Sequence, residues 1–162
     1  MMMRVGIGYD IHPFVDGRPL MLGGIAVPSP AGLSGHSDAD VVLHAITDAL
    51  LGAAALGDIG THFSPSDPAN AGRNSADFVG RAVEMLADRG WAIGNVDCTL
   101  IAERPRLAAH ITTMRDSIAA ILDIDVGAVS VKASTNNGLG AIGAGEGIAA
   151  QAVVLIERVV ER

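Results

Sequence analysis

A strand-like run at about residues 148–158, close to the end of the chain, restricts the fold more than any other stretch. Ile148, Ala150, Ala152, Val154 and Ile156 fall on one face of such a strand, because strand side chains alternate sides. Ala149, Val153 and Leu155 on the other face are apolar as well. A strand of this kind needs cover on both sides. If helices pack on only one face of its sheet, something else must cover the second, and a partner subunit is the simplest candidate.

The stretch from Gly35 to Asp48 contains the most suggestive pattern. His36, Asp40, His44 and Asp48 recur every four residues, which in a helix is one stripe. Val41, Val42, Ile46, Ala49 and Leu50 form an apolar face suited to a core. Ser37 with Asp40 three positions later has the form of a capping box. That predicts a helix from about Asp38 to Leu56, stopped by Gly57, with Ser37 as its cap. His36 then sits just outside the helix and His44 about two turns in.

Residues 3–12 alternate Val5, Ile7, Tyr9 and Ile11 against Arg4, Gly6, Gly8, Asp10 and His12, a strand with one apolar face. Asp10 and His12 then point the same way. Residues 16–28 read as a short hairpin piece, and residues 58–72, with Gly60, Pro65, Pro68 and Gly72, as a loop. A second helix is predicted from Ser75 to Gly90, a strand over 91–102, a third helix over 106–122, and a strand over 128–134. A glycine-rich loop from Gly138 to Gly147 leads into the last strand. The order β-β-α-α-β-α-β-β predicts an α+β fold, a mixed β-sheet with helices packed on one face, in a single domain spanning residues 1–162.

A net charge of -7 argues against nucleic acid, whose phosphates are met by clustered Lys and Arg. It also requires that any anionic substrate be held by a metal or by backbone amides. The single cysteine, Cys98, excludes an internal disulfide and any multi-cysteine zinc site, and its apolar surroundings read as a buried small residue. The N-terminus has no apolar signal core and no run approaches membrane-spanning length, so the chain reads as cytoplasmic.

Asp10 and His12 on one strand face, joined by His44 from a helix, make a set of two imidazoles and a carboxylate. Such a set suits zinc, and three protein ligands leave a fourth position for a substrate oxygen. The bland readings are a turn-capping Asp10, an exposed His12 before Pro13 and a satisfied core His44; His62 and His110 lack such company and read as surface residues. Gly138-Leu139-Gly140-Ala141-Ile142-Gly143 is a literal GxGxxG. A dinucleotide-binding unit needs a helix opening at that loop and a further strand, whereas here a strand follows and the chain ends at Arg162, so that reading is rejected. A backbone-rich loop near phosphate, or simply a tight connection between strands, remains.

Four motifs carry a resemblance that runs end to end: Gly8-Tyr9-Asp10-Ile11-His12; His36-Ser37-Asp38-Ala39-Asp40 with His44; Ala54-Ala55-Leu56-Gly57-Asp58-Ile59-Gly60; and Gly145-Glu146-Gly147-Ile148-Ala149. The chain resembles the 2-C-methyl-D-erythritol 2,4-cyclodiphosphate synthase family. The resemblance implies a homotrimer with sheets toward the threefold axis and active sites between subunits. It implies a reaction in which the 2-phosphate of a cytidine-diphospho-methylerythritol phosphate attacks the β-phosphorus and expels CMP. It makes Asp10, His12 and His44 zinc ligands, and has Asp10 and His12 meet the substrate too. His36, Ser37, Asp58, Ile59, Gly60, Phe63, Ser64, Pro65, Ser66 and Asp67 would hold the methylerythritol end and the ribose. Ala102, Pro105, Arg106, Leu107, Ala108, Ser134 and Thr135 would form the cytidine pocket, with Asn136 and Asn137 following on the same substrate-binding loop. His36 and Thr135 match positions credited with stabilising the transition state.

Three positions depart from the family pattern. Asn137 stands where a Glu usually holds Mg or Mn between the α- and β-phosphates, which weakens the case for a tightly held second metal. Ala141 and Ala144 stand where a Phe and an Arg usually follow, which puts in doubt the anion-binding cavity that some relatives have on the trimer axis. The rival readings are a zinc-dependent phosphohydrolase and a non-catalytic oligomer stapled by metal.

Overall fold

A computed structural model of the chain describes residues 2–64 and 66–159. Five strands form one sheet in the order β4-β1-β7-β5-β6. β1 (Met3–Asp16) runs antiparallel to β7 (Gly147–Arg158) and, at its far end, to β4 (Ala31–Leu33). β5 (Trp91–Ile101) runs antiparallel to β7 and parallel to β6 (Val129–Ser134). β2 (Leu20–Leu22) and β3 (Ile25–Val27) make the expected hairpin as a separate two-stranded ribbon. The fold is therefore α+β with a mixed sheet, as the element order predicts, and the both-sided apolar strand β7 lies at its centre.

The helices α1 (Val41–Ala53), α3 (Ser75–Ala87) and α4 (Ile111–Leu122) pack on one side of the sheet. Their positions follow from which rows of side chains are buried. Ile148, Ala150, Ala152, Val154 and Ile156 of β7 and Val96, Cys98 and Leu100 of β5 are buried beneath them. On β1 the inward row is Gly6, Gly8, Asp10 and His12, and its two glycines let α1 lie directly on the strand. A Cβ on Gly8 would overlap the Ala45 carbonyl oxygen, and one on Gly6 would overlap that of Ala49. The apolar row of β1 faces the other way: Val5, Ile7 and Tyr9 are each more than half exposed. Ile7 pairs with Val153 of β7, itself 41% exposed, so the uncovered face carries a contiguous apolar strip.

Several local expectations need correction. α1 begins at Val41 and its cap is Asp40, not Ser37. Ala39 takes a left-handed conformation (φ 59°), which turns the chain between the two residues. Asp40 Oδ1 then accepts from Val42 and Leu43 amides at 3.1 Å each, and from Gly23 at 2.9 Å, while Oδ2 accepts from Gly24 at 2.7 Å. Asp40 is thus fully buried, tying the β2-β3 hairpin to the start of α1 instead of joining a stripe with His36 and His44. Burial pushes its carboxyl up, against the pull of the Gly24, Gly23 and Leu43 amides. His44 is the fourth helical residue, about one turn in. The loop over 58–72 contains α2 (Ile59–His62) and a 3₁₀ turn at Pro68–Asn70. The third helix is preceded by a 3₁₀ turn at Ala108–His110, and the glycine-rich loop holds a single helical turn, α5 (Gly140–Gly143). None of the described helices is long and apolar enough to cross a membrane.

Candidate active site

Asp10 and His12 lie two residues apart on the helix-facing side of β1, as their spacing predicts. Gly8 admits α1 so closely that His44, in the first turn of the helix, reaches the same point. Asp10 Oδ2 stands 3.0 Å from His12 Nε2 and 2.9 Å from His44 Nδ1, and the two imidazole nitrogens are 3.4 Å apart. Tetrahedral ligands about 2.0–2.1 Å from a metal lie about 3.3 Å from one another, so this spacing suits one divalent ion. Among the described residues, these three form the one group of His, Cys or acidic side chains that could hold a metal. Burial alone would push the Asp10 carboxyl up, but the hydrogen bonds and charges of His12 and His44 outweigh it and hold the group well below the usual carboxylate range. The same hydrogen bond to Asp10 raises His12, against the opposing effect of burial. The Ser34 backbone beside the His12 ring also raises it.

Around the triad is a cavity of about 240 Å³ lined by Asp10, His12, His36, Ser37, His44, Ile59, Gly60, Phe63, Asn70 and Phe78. His36 is exposed on the loop before α1, whereas Ser37 is buried with its Oγ 3.0 Å from His44 Nε2. Arg18 grips that loop by donating to the carbonyls of Gly35 (2.7 Å) and Ser37. Asp48, one turn beyond His44, accepts the Ile59 amide at 2.7 Å and so fixes the start of α2; burial pushes its carboxyl up. Phe63 stacks at 4.7 Å on Phe78, whose ring lies 6.1 Å from that of His44.

Asp58 and Asp67 serve as local caps: Asp58 Oδ1 accepts from the Thr61 amide (2.8 Å) and hydroxyl (2.7 Å), and Asp67 Oδ1 from the Ala69 amide (2.9 Å). Ser64 and Ser66 bond to each other, Oγ to Oγ at 2.7 Å. These four are exposed, and Pro65 lies outside the described residues. His62 is exposed too, its Nε2 2.7 Å from the Leu56 carbonyl.

The other expected site residues gather elsewhere in the chain. Ala102, Pro105, Arg106, Leu107 and Ala108 follow the end of β5, and Ser134 ends β6, with Thr135, Asn136 and Asn137 after it. The Ala102 amide donates to the Ser134 carbonyl at 3.0 Å, joining the two segments. Glu103 Oε1 accepts the amides of Asn136 (2.9 Å) and Gly138 (3.2 Å), and Asn137 is left-handed at φ 51°. β7 separates this group from β1 and its triad. Ser75, Asn70 and Phe78 also belong to the triad's surroundings, and the sequence reading assigned them no role there. Ser75 read only as a helix start, and nothing in its local pattern shows that α3 sets it against His44. A larger open groove of about 1110 Å³ lies at the other end of the β1-β7 ladder; only Asp123 and Arg158 among its lining residues are charged, and neither joins a ligand set.

Comparison with known proteins bears on the family and the fold. The model of the YgbB family matches residues 3–157. The 2-C-methyl-D-erythritol 2,4-cyclodiphosphate synthase of Symbiobacterium thermophilum is 56% identical over 154 residues, covering 95% of this chain and 98% of that protein. Among solved structures, the bifunctional IspDF of Campylobacter jejuni superimposes with a TM-score of 0.94 at 37% identity, over 97% of this chain; the chain spans 42% of that protein's length. A 2C-methyl-D-erythritol-2,4-cyclodiphosphate synthase solved in a CDP-bound form matches with a TM-score of 0.88 at 37% identity, over 95% of this chain and 100% of that one. With a helix-covered mixed sheet, an Asp-His-His cluster where β1 meets α1 and relatives matching almost throughout, the chain belongs to the YgbB family of 2-C-methyl-D-erythritol 2,4-cyclodiphosphate synthases.

Proposed function

We infer that the chain converts 4-diphosphocytidyl-2-C-methyl-D-erythritol 2-phosphate to 2-C-methyl-D-erythritol 2,4-cyclodiphosphate and CMP, a step of non-mevalonate isoprenoid synthesis. The observation that carries this reading is the convergence of Asp10, His12 and His44 in a chain 56% identical to a synthase of that name. One oxygen of the 2-phosphate forms a bond to the β-phosphorus. The bond from that phosphorus to the α,β-bridging oxygen breaks, and CMP leaves with the electron pair. The nucleophile is already an anion, so the protein's task is alignment and charge neutralisation, with no general base needed. Zinc held by Asp10, His12 and His44 would supply a Lewis acid and template for the β-phosphate.

His36 and Thr135 are the proposed catalytic side chains, donating to oxygens on which charge develops. Ser37, Asp58, Ile59, Gly60 and Phe63 to Asp67 would hold the methylerythritol end and the ribose. Ala102, Pro105 to Ala108 and Ser134 to Asn137 would take the cytidine, a role supported by the relative solved with CDP. A second ion, Mg or Mn, would ride weakly on the diphosphate, since Asn137 offers no carboxylate. The protein would act in the cytoplasm, as one domain spanning residues 1–162.

The same reading accounts for the two separated groups. In a homotrimer with sheets toward the threefold axis, the triad of one subunit would face the Ser134 to Asn137 loop of its neighbour. The strip of Val5, Ile7, Tyr9 and Val153 offers the apolar surface such an assembly would bury. Incubating the purified protein with the cytidine-diphospho substrate tests the activity: cyclic diphosphate plus CMP is the expected outcome, and a hydrolysed diphosphate would indicate a phosphohydrolase instead. Mixing inactive His44→Ala and Thr135→Ala proteins tests the composite site. Partial recovery is expected, and verified mixed trimers without activity would rule that arrangement out.

A further inference from the structure

Behind the triad, on the side of His44 away from Asp10, the ring meets two hydroxyls. His44 Nε2 lies 2.9 Å from Ser75 Oγ and 3.0 Å from Ser37 Oγ. Ser75 is fully buried, so no water replaces its contacts. Its hydroxyl is in hydrogen-bond contact with Asp38 Oδ1, and its amide donates to Asp38 Oδ2 at 3.0 Å. A carboxylate only accepts, so the single hydroxyl proton of Ser75 goes to Asp38. The lone pairs left on Ser75 Oγ face His44 Nε2 and Ser37 Oγ, 3.4 Å away, and can only accept, so the ring pairs with Ser75 when Nε2 carries a proton and the Ser37 hydroxyl turns its own proton to Ser75. With Nε2 protonated, the neutral ring turns the lone pair of Nδ1 toward Asp10 Oδ2, 2.9 Å away, and His12 Nε2. Once His12 is neutral with Nε2 unprotonated, as metal binding requires, three lone pairs converge, an arrangement that a cation between them relieves.

We propose that Ser75, oriented by Asp38, is a positioning residue that holds the His44 imidazole with Nδ1 toward Asp10 and His12, so that the metal site is set before the ion arrives. The proposal rests on the reading of the triad as a divalent-metal site and adds a device from a different helix, α3. A partner that fixes the tautomer of a ligating histidine is worth roughly 10- to 100-fold in metal affinity.

Two measurements test this without relying on turnover. In the zinc-loaded native protein, long-range ¹H–¹⁵N correlation of the His44 ring should show Nδ1 with a metal-bound shift and Nε2 carrying a slowly exchanging proton. A proton on Nδ1, or zinc on Nε2, would overturn the proposal. In Ser75→Ala, zinc affinity measured by chelator competition should fall about tenfold or more, with the Nε2 proton exchanging faster. Unchanged affinity in a folded Ser75→Ala protein would overturn the positioning role and leave the metal site standing. A native protein that takes up no zinc would instead overturn the metal reading itself. If Ser75→Ala fails to fold, the native-protein spectrum still decides.

Discussion

Gly8→Ala is a demanding test of how the fold builds the metal site. The added Cβ would stand 2.8 Å from the Ala49 nitrogen and overlap the Ala45 carbonyl oxygen. Both obstacles are α1 backbone, so no rotamer change relieves them, and the helix must retreat from β1. Overpacking of this kind costs typically about 1–3 kcal/mol, and backbone obstacles place it at the upper end. The buried methyl returns about 0.8 kcal/mol, and loss of glycine's freedom in the unfolded chain returns about 0.4–1 kcal/mol. A net loss of about 1–2 kcal/mol corresponds to a fall in Tm of roughly 2–8 °C for a chain of this size. His44 lies one residue before Ala45, so the retreat also carries its Nδ1 away from Asp10 Oδ2. Thermal unfolding of metal-free and zinc-loaded protein, at one fixed protein concentration, is the assay. The expected result is a lower Tm in the metal-free variant and a smaller rise on adding zinc. A variant with native Tm and native zinc response would refute the claim that close packing of α1 on Gly8 sets the site.

Further outcomes follow from the same geometry. His12→Ala should lose both zinc and cyclisation; unchanged zinc stoichiometry would remove His12 from the ligand set. In metal-free protein, the raised His12 contributes stability that is full below its ordinary value of 6.5 and fades as pH rises through its folded value. The depressed Asp10 contributes above its ordinary 3.8 and loses that contribution as pH falls through its folded value. The excess stability over His12→Ala should therefore shrink as the medium turns alkaline, while zinc affinity, which needs neutral imidazoles, should rise with pH; urea unfolding and chelator competition across pH check both. The native protein should need more Mg or Mn for half-maximal activity than its Asn137→Glu variant, because an amide oxygen is a weaker ligand for a hard cation than a carboxylate; superimposed titrations at saturating zinc would refute this. Burial pushes the Cys98 thiol up to about 12, so maleimide should label it only on unfolding, and rapid labelling of folded protein would contradict its placement.

Periodicity alone is enough to predict that Asp10 and His12 share a face of β1, that a helix runs within about 38–56 (it occupies Val41–Ala53), and that the last strand is apolar on both sides. Those are short-range properties, set by backbone geometry and by which residues repeat every second or every third and fourth position. Residue types suggested grouping His44 with Asp10 and His12, and the resemblance to a family made the three zinc ligands; spacing along the chain cannot by itself bring them together across more than thirty residues. Tertiary packing decided the rest. The apolar row of β1 would ordinarily be assigned to the core, yet the core lies on the glycine row, because only there can the α1 backbone approach. Asp40 reads as a member of a histidine stripe until the β2-β3 hairpin supplies Gly23 and Gly24 amides from far upstream. Ser37 reads as a helix cap until Ala39 turns the chain and leaves its hydroxyl for His44. Ser75 joins the site because α3 packs beside α1, and Thr135 stands apart from the triad because β7 lies between the strands that carry them. Each depends on contacts between residues remote in sequence, whose energies exceed the local preferences a single stretch can express.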